Sequence, residues 1–109
     1  MKKIALEEHY QDPTTTKYFA NPQTAKFFGE EYFEFISKNL WGNVAAYADD
    51  LRQNDIDFAV MSINGPGVQG VPDLKLATQM AQTANDAVYQ NYIQTDPKRF
   101  GAFATVALQ

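Results

Sequence analysis

The segment from Phe58 to Ile63 constrains the fold more than any other part of the sequence. It reads Phe-Ala-Val-Met-Ser-Ile and is apolar on both faces. Side chains of a strand alternate between faces, so this pattern is typical of a strand in a parallel sheet that helices cover. The turn residues Asn64-Gly65-Pro66-Gly67 follow directly and end the predicted strand.

Two further apolar runs predict one strand before this segment and one after it. Ile4 to Leu6 is the apolar part of a strand predicted over residues 2–7, and we expect it to be buried. The run from Phe100 to Val106 is nearly all apolar and predicts the third strand. Each run is short enough for a strand and too short for a buried helix.

Apolar residues at spacings of three and four predict helices between these strands. The helices are expected to run from Thr24 to Gly42, from Asn43 through Leu51, and after Asp73 to about Gln94. The first carries an aromatic stripe at Phe28, Tyr32 and Phe35, which we expect to pack in the core or against a subunit. The second carries an apolar face and the third a buried stripe, which comprise Val44, Tyr47, Ala48 and Leu51 in the second and Leu74, Ala77, Met80, Ala81, Ala84, Val88 and Tyr92 in the third. Residues 10–23 contain two prolines and are predicted to be a loop or lid.

The resulting order, β-α-α-β-α-β, predicts parallel strands joined by helical crossovers. A chain of 109 residues is at most one domain. Three parallel strands leave two open edges and an apolar face that needs cover. We therefore expect residues 1–109 to be the opening part of a larger α/β domain.

The composition excludes several classes of function. A formal charge of −4 argues against nucleic acid, which is bound through basic patches. The absence of cysteine excludes disulfides and thiolate metal sites. No apolar run approaches the ~20 residues of a membrane span, and Glu7 and Glu8 interrupt the N-terminal one too early for a signal peptide. We expect a cytoplasmic protein.

Glu7 and His9 carry the most specific chemistry in the sequence. They lie two residues apart at the end of the first strand, so alternation places them on one face and Glu8 on the other. A carboxylate and an imidazole make half of a divalent-metal site, because catalytic zinc sites use three protein ligands. His9 is the only histidine. The alternative is a polar strand end that faces solvent.

Four motifs in register resemble the metal-dependent aromatic-acid decarboxylases of the amidohydrolase superfamily. They are Ile4-Ala5-Leu6-Glu7-Glu8-His9, the segment from Met61 to Gln69, Ala84-Asn85-Asp86, and the segment from Pro97 to Ala104. The resemblance implies a (β/α)₈ barrel whose site lies at the carboxyl ends of the strands. Residues 1–109 would then be the N-terminal part of that barrel.

The resemblance also implies a metal and a substrate. Glu7 and His9 match two ligands of a zinc or manganese ion, and the remaining ligands and the proton donor are expected on later strands, so we assign no catalytic residue to this segment. The substrate would be a small hydroxylated aromatic carboxylate. Phe19, Asn64 and Pro66 are the residues that we expect to contact it. A homo-oligomer is also expected.

The chain departs from the family pattern just before the second strand. Relatives usually carry a Met-Asp pair followed by a glycine, whereas the matching positions here are Leu51, Arg52 and Asp55. This difference affects the turn into the strand and leaves the metal motif unchanged.

Two other functions compete with decarboxylation. A hydrolase of the same superfamily would open a lactone or an amide with metal-bound water, and the first strand does not distinguish it from a decarboxylase. Alternatively, the chain is a non-catalytic fragment or a small α/β module that associates with itself to cover its apolar strands.

Overall fold

The computed structural model describes residues 1–19, 26–40 and 43–109. Its three strands form one parallel sheet in the order β1-β2-β3, with bounds Ile4–Tyr10 for β1, Phe58–Ile63 for β2 and Phe100–Ala102 for β3. The predicted fold class, three parallel strands joined by helical crossovers, is confirmed, but at least three helices, and not two, lie between β1 and β2 in the described part of the chain.

Helices connect the strands. Their bounds are Pro13–Phe19 for α1, Glu30–Leu40 for α2, Val44–Gln53 for α3 and Leu74–Val88 for α4. A 3₁₀ turn at Gly67–Gly70 follows β2, and a π-helical turn at Tyr89–Ile93 extends α4 close to its predicted end. None of the described helices is both long and apolar enough to cross a bilayer. The predicted cap Thr24 and the predicted stop Gly42 lie outside the described residues.

Helix α1 occupies part of the segment that was predicted to be a loop, so that prediction is wrong for Pro13–Phe19. Asp12 begins the helix, because its carboxylate accepts hydrogen bonds from the backbone nitrogens of Thr14 at 2.8 Å and Thr15 at 3.3 Å. Pro13 occupies the first helical position, where a missing N–H costs nothing. The proline that suggested a loop is therefore a helix-starting residue.

Helices α3 and α4 cover one face of the sheet. Ala48 and Leu51 of α3 are buried as predicted, and the predicted stripe of α4 is buried except for Leu74. The main core cluster comprises Tyr10, Ala48, Leu51, Ala59, Met61, Val88, Tyr92 and Phe100. Tyr92 and Phe100 meet edge to face with ring centroids 5.4 Å apart, a favourable aromatic geometry.

The opposite face of the sheet is open. Ile4 and Leu6 are 61% and 63% exposed, so the prediction that they are buried is wrong in this structure. The helices lie on only one side of the sheet, and alternation directs these two side chains to the other side. Phe28 and Tyr32 of the aromatic stripe are likewise more than half exposed, so they are not part of the core.

Strand β3 is shorter than predicted. It ends at Ala102, and the backbone of Thr105 is hydrogen-bonded to the side chain of Asn85 on α4 instead of to a strand. The Asn85 amide donates to the Thr105 carbonyl at 2.9 Å, and its oxygen accepts from the Thr105 N–H at 2.8 Å. The chain after β3 is thus fixed to a helix.

The turn into β2 ends α3 with a Schellman motif. Ile56 N–H donates to the Leu51 carbonyl at 2.8 Å, and Asp55 N–H donates to the Arg52 carbonyl at 3.2 Å. Asp55 has φ 55 in this motif, at the position where the family resemblance leads us to expect glycine. The turn therefore forms without the glycine, at the cost of a left-handed aspartate.

We expect Asp55→Gly to raise the free energy of unfolding by about 1 kcal/mol, because glycine adopts a left-handed conformation without the clash of a Cβ atom. Asp55→Val should lower it, since a β-branched residue tolerates this conformation poorly. Urea denaturation of the three proteins measures the difference. Equal or lower stability of Asp55→Gly would show that the carboxylate contributes more than the strain costs.

The core tyrosines predict a loss of stability in alkali. Burial, followed by the charge of Asp12, raises the pKa of Tyr10 to about 12, and burial also raises the pKa of Tyr92. The unfolded chain releases these protons near pH 10. Stability should therefore be complete below about pH 10 and fall as the pH rises toward about 12. Urea midpoints across this range measure the fall, which should be smaller in Tyr92→Phe.

Candidate functional site

The carboxyl ends of the three parallel strands meet at one edge of the sheet, where β1 presents Glu7 and His9. The turn after β2 is held beside them, because Asn64 N–H donates to the Tyr10 carbonyl at 2.8 Å. Tyr10 itself is buried, and its hydroxyl donates to the Ala84 carbonyl of α4 at 3.3 Å. The end of β1 is therefore fixed from both sides.

A β-bulge interrupts β1 immediately before His9. Ala5 of β1 lies opposite Ala59 of β2, and Glu8 lies opposite Met61. The step between these two pairs is three residues along β1 but only two along β2. One extra residue of β1 is thus accommodated, and Glu7 in the bulge has φ 61. A left-handed conformation is uncommon for a residue with a Cβ atom, and such residues cluster at functional sites.

The bulge decides which face His9 occupies. Regular pairing from Ala5 would place His9 opposite Ile63, on the face of β2 that packs against the helices. The observed register places it opposite Ser62, on the open face. Glu8 lies on the face opposite to His9, as predicted, which is the covered face. Because His9 lies on the open face, a metal ion could reach it without disturbing the core.

His9 has one hydrogen-bond partner among the described residues. Its Nδ1 atom lies 3.2 Å from the Oγ atom of Ser62, and its Nε2 atom has no partner in that part of the chain. Glu7 and His9 are both exposed. A carboxylate and a neutral imidazole suit manganese or zinc. Within residues 1–19, 26–40 and 43–109, no three histidine, cysteine, aspartate or glutamate side chains cluster as a metal site. Glu7 and His9 therefore stay candidate ligands for part of such a site.

Glu8 is engaged by α3 and is not available to the open face. The Tyr47 hydroxyl of α3 donates to the Glu8 carboxylate. Burial, followed by this hydrogen bond, raises the pKa of Tyr47. The contact fastens the residue after the bulge to the covered side of the sheet.

The predicted substrate-contacting residues are only partly brought together. Asn64 is half-buried and Pro66 is exposed, and both follow β2 at the edge where Glu7 and His9 lie. A cis peptide bond joins Gly65 to Pro66. Phe19 is the last residue of α1, and its side chain lies outside what the structure describes.

Ser62 is a residue of this edge that the sequence pattern alone did not single out. It is the only polar side chain of β2, and its position opposite His9 depends on the bulge. A polar residue in an otherwise apolar strand is the signal that could have identified it.

Comparisons with known proteins give a consistent result. None of the protein-family models matches the chain. The γ-resorcylate decarboxylase of Rhizobium radiobacter is 32% identical over 107 residues, which are 98% of this chain and 31% of the relative. A crystal structure of 2,6-dihydroxybenzoate decarboxylase with 2,6-dihydroxybenzoate superposes with a TM-score of 0.86 at 30% identity, over 100% of this chain and 32% of that one.

A dihydroxybenzoic acid decarboxylase from Polaromonas, solved with manganese and the inhibitor 2-nitroresorcinol, superposes with a TM-score of 0.83 at 27% identity, over 96% of this chain and 30% of that one. The chain therefore spans about a third of the length of the relatives that it matches. The predicted resemblance is confirmed: nearly every residue of the chain aligns with part of an aromatic-acid decarboxylase of the amidohydrolase superfamily.

Proposed function

We propose that this chain is part of a metal-dependent enzyme that decarboxylates a hydroxylated aromatic carboxylate without oxidation. In this reaction the bond from a ring carbon to the carboxylate breaks, CO₂ leaves, and a proton takes its place on the ring. The observation that carries the proposal is the placement of His9 on the open face, at the carboxyl edge of the sheet, by a bulge that contains Glu7. The similarity to dihydroxybenzoate decarboxylases supports the reaction class.

Glu7 and His9 would hold the divalent ion. Manganese is the ion in the Polaromonas structure, and zinc would also accept these ligands. When bound, the ion supplies an electrophile that orients and polarises the oxygens of the substrate. Glu7 contributes negative charge to the site, and His9 contributes a neutral nitrogen. The remaining ligands and the proton donor would come from outside these residues.

Asn64, Pro66 and Phe19 would form the walls that position the aromatic ring. Asn64 has a fixed backbone, because its N–H is bonded to Tyr10, and Pro66 restricts the turn that follows. A rigid turn suits a flat substrate, because little conformational entropy is lost on binding. Phe19 ends α1, and the buried Asp12 anchors the start of that helix.

The open apolar face supports the proposal that residues 1–109 are part of a larger barrel domain. Ile4, Leu6 and Phe103 are each more than half exposed, which is unfavourable in an isolated domain. Further strands of a barrel would cover them. A homo-oligomer and a cytoplasmic location stay predictions. Self-association of the chain would cover the same face and is the alternative non-catalytic function.

In the full protein, which would contain the remaining ligands, we expect Glu7→Gly and His9→Ala to remove bound manganese and to lower CO₂ release from 2,6-dihydroxybenzoate by more than about 100-fold. Glycine is the informative substitution at position 7, because it removes the carboxylate and still accepts the positive φ. Metal content by atomic emission and CO₂ release are the measurements. Glu8→Gln is the matched control, since it keeps an acceptor for Tyr47 and should retain both properties.

Retention of metal and activity in both Glu7→Gly and His9→Ala would contradict the proposal. A protein that binds manganese and opens a lactone but releases no CO₂ would instead be a hydrolase of the same superfamily. The two assays on one preparation therefore distinguish the two enzymatic functions.

The isolated 109-residue chain should associate, because its open face has no cover. Sedimentation velocity is expected to show species larger than 12.3 kDa, and the protein from its native source should have a denatured mass that fits the ~250 residues of a barrel. A stable monomer with a native mass of 12.3 kDa would contradict both the barrel and the self-association proposals.

A further inference from the structure

We propose that Ser62 positions His9 for metal binding, by accepting a hydrogen bond from Nδ1–H and thereby leaving Nε2 free of a proton as the ligand atom. The inference rests on the proposed function, in which His9 binds the ion. It assigns to Ser62 a positioning role, because the serine touches the ligand residue and not the reacting atoms.

The backbone keeps the two side chains together. His9 and Ser62 are register partners in parallel strands, and their Nδ1 and Oγ atoms are 3.2 Å apart. The backbone on either side of the pair is fixed, since Glu8 is bonded to Tyr47 and the Tyr10 carbonyl accepts from Asn64 N–H. The contact is therefore built by strand pairing and does not depend on a flexible loop.

The chemistry of imidazole makes the partner of Nδ1 important. A neutral ring carries one proton, and a metal ion binds only the nitrogen without it. A hydroxyl can either accept from Nδ1–H or donate to bare Nδ1. In the first arrangement Nε2 can bind metal, and in the second it carries the proton and cannot. Outer hydrogen bonds of this kind fix the tautomer and ring orientation of metal-binding histidines.

The position of Ser62 in its strand favours this role over that of a space-filling small residue. The other five residues of β2 are apolar, and Ser62 is the one that faces the only histidine of the sequence. If the residue only filled space, alanine would serve equally well there. The inference therefore predicts that the hydroxyl, and not the size of the side chain, is required.

The first test measures manganese(II) affinity of the full protein, by competition with a chelator. Ser62→Ala is expected to bind about 10- to 100-fold more weakly than wild type. Ser62→Thr keeps the hydroxyl and should remain close to wild type. Thr78→Ala is the matched control, because it removes an exposed hydroxyl that donates to the Leu74 carbonyl of α4, and it should change nothing.

The second test observes the tautomer directly, without metal. In protein labelled with ¹⁵N-histidine, wild type should show the Nδ1–H tautomer of neutral His9, and Ser62→Ala should show less of it. The spectrum of His9→Ala identifies the His9 signals by difference. This readout does not depend on activity, and a merely structural serine would not alter it.

The outcomes separate this inference from the proposed function. If His9→Ala loses manganese but Ser62→Ala binds it with wild-type affinity, the proposed role of Ser62 is wrong and the proposed metal site is retained. Wild-type affinity in His9→Ala would overturn the metal site itself. If Ser62→Ala does not fold, the wild-type spectrum decides, because a ring protonated only at Nε2 contradicts the inference.

Discussion

The pairing of β1 with β2, and the bulge within it, is the constraint on which the rest of the structure depends. Before the bulge, β1 follows the regular register that begins with Ala5 opposite Ala59. After the bulge, the alternation is inverted, so that Glu8 and Tyr10 face the helices and His9 faces the open side. The left-handed residue Glu7 thus separates the first part of the strand, which pairs regularly with β2, from the second part, which places His9 on the open face.

The two faces of the sheet carry different residues, the core on one face and the candidate site on the other. The covered face holds the aromatic core of Tyr10, Tyr92 and Phe100, together with the Tyr47–Glu8 hydrogen bond. The open face holds His9 and Ser62. Because the core anchors the residues on both sides of His9, burial on one face stabilises the geometry on the other. Packing on the covered face therefore supports the candidate metal ligand His9, although its own side chain is not part of that packing.

The local pattern predicted the three strands, their parallel topology and the buried stripes of α3 and α4, because each follows from residues close in sequence. The bulge was not predictable, since Glu7 is not glycine and perfect alternation already gave a plausible face for His9. The exposure of Ile4 and Leu6 depends on which face the helices cover, which is a property of the whole sheet. Helix α1 was missed because Pro13 is compatible with both a loop and a helix start. Glu7 and His9 as metal ligands stay a prediction.

The contact between Asn85 and Thr105 has a consequence for how the sheet can grow. The carboxamide offers the same donor and acceptor pair as a peptide unit, so the helix occupies both backbone groups of Thr105 as a neighbouring strand would. Phe103 N–H donates to the Met61 carbonyl of β2, whereas two residues later both groups of Thr105 are taken by the helix. The helix therefore limits how far β3 can pair with β2, and a further strand would use the other edge of Phe100–Ala102.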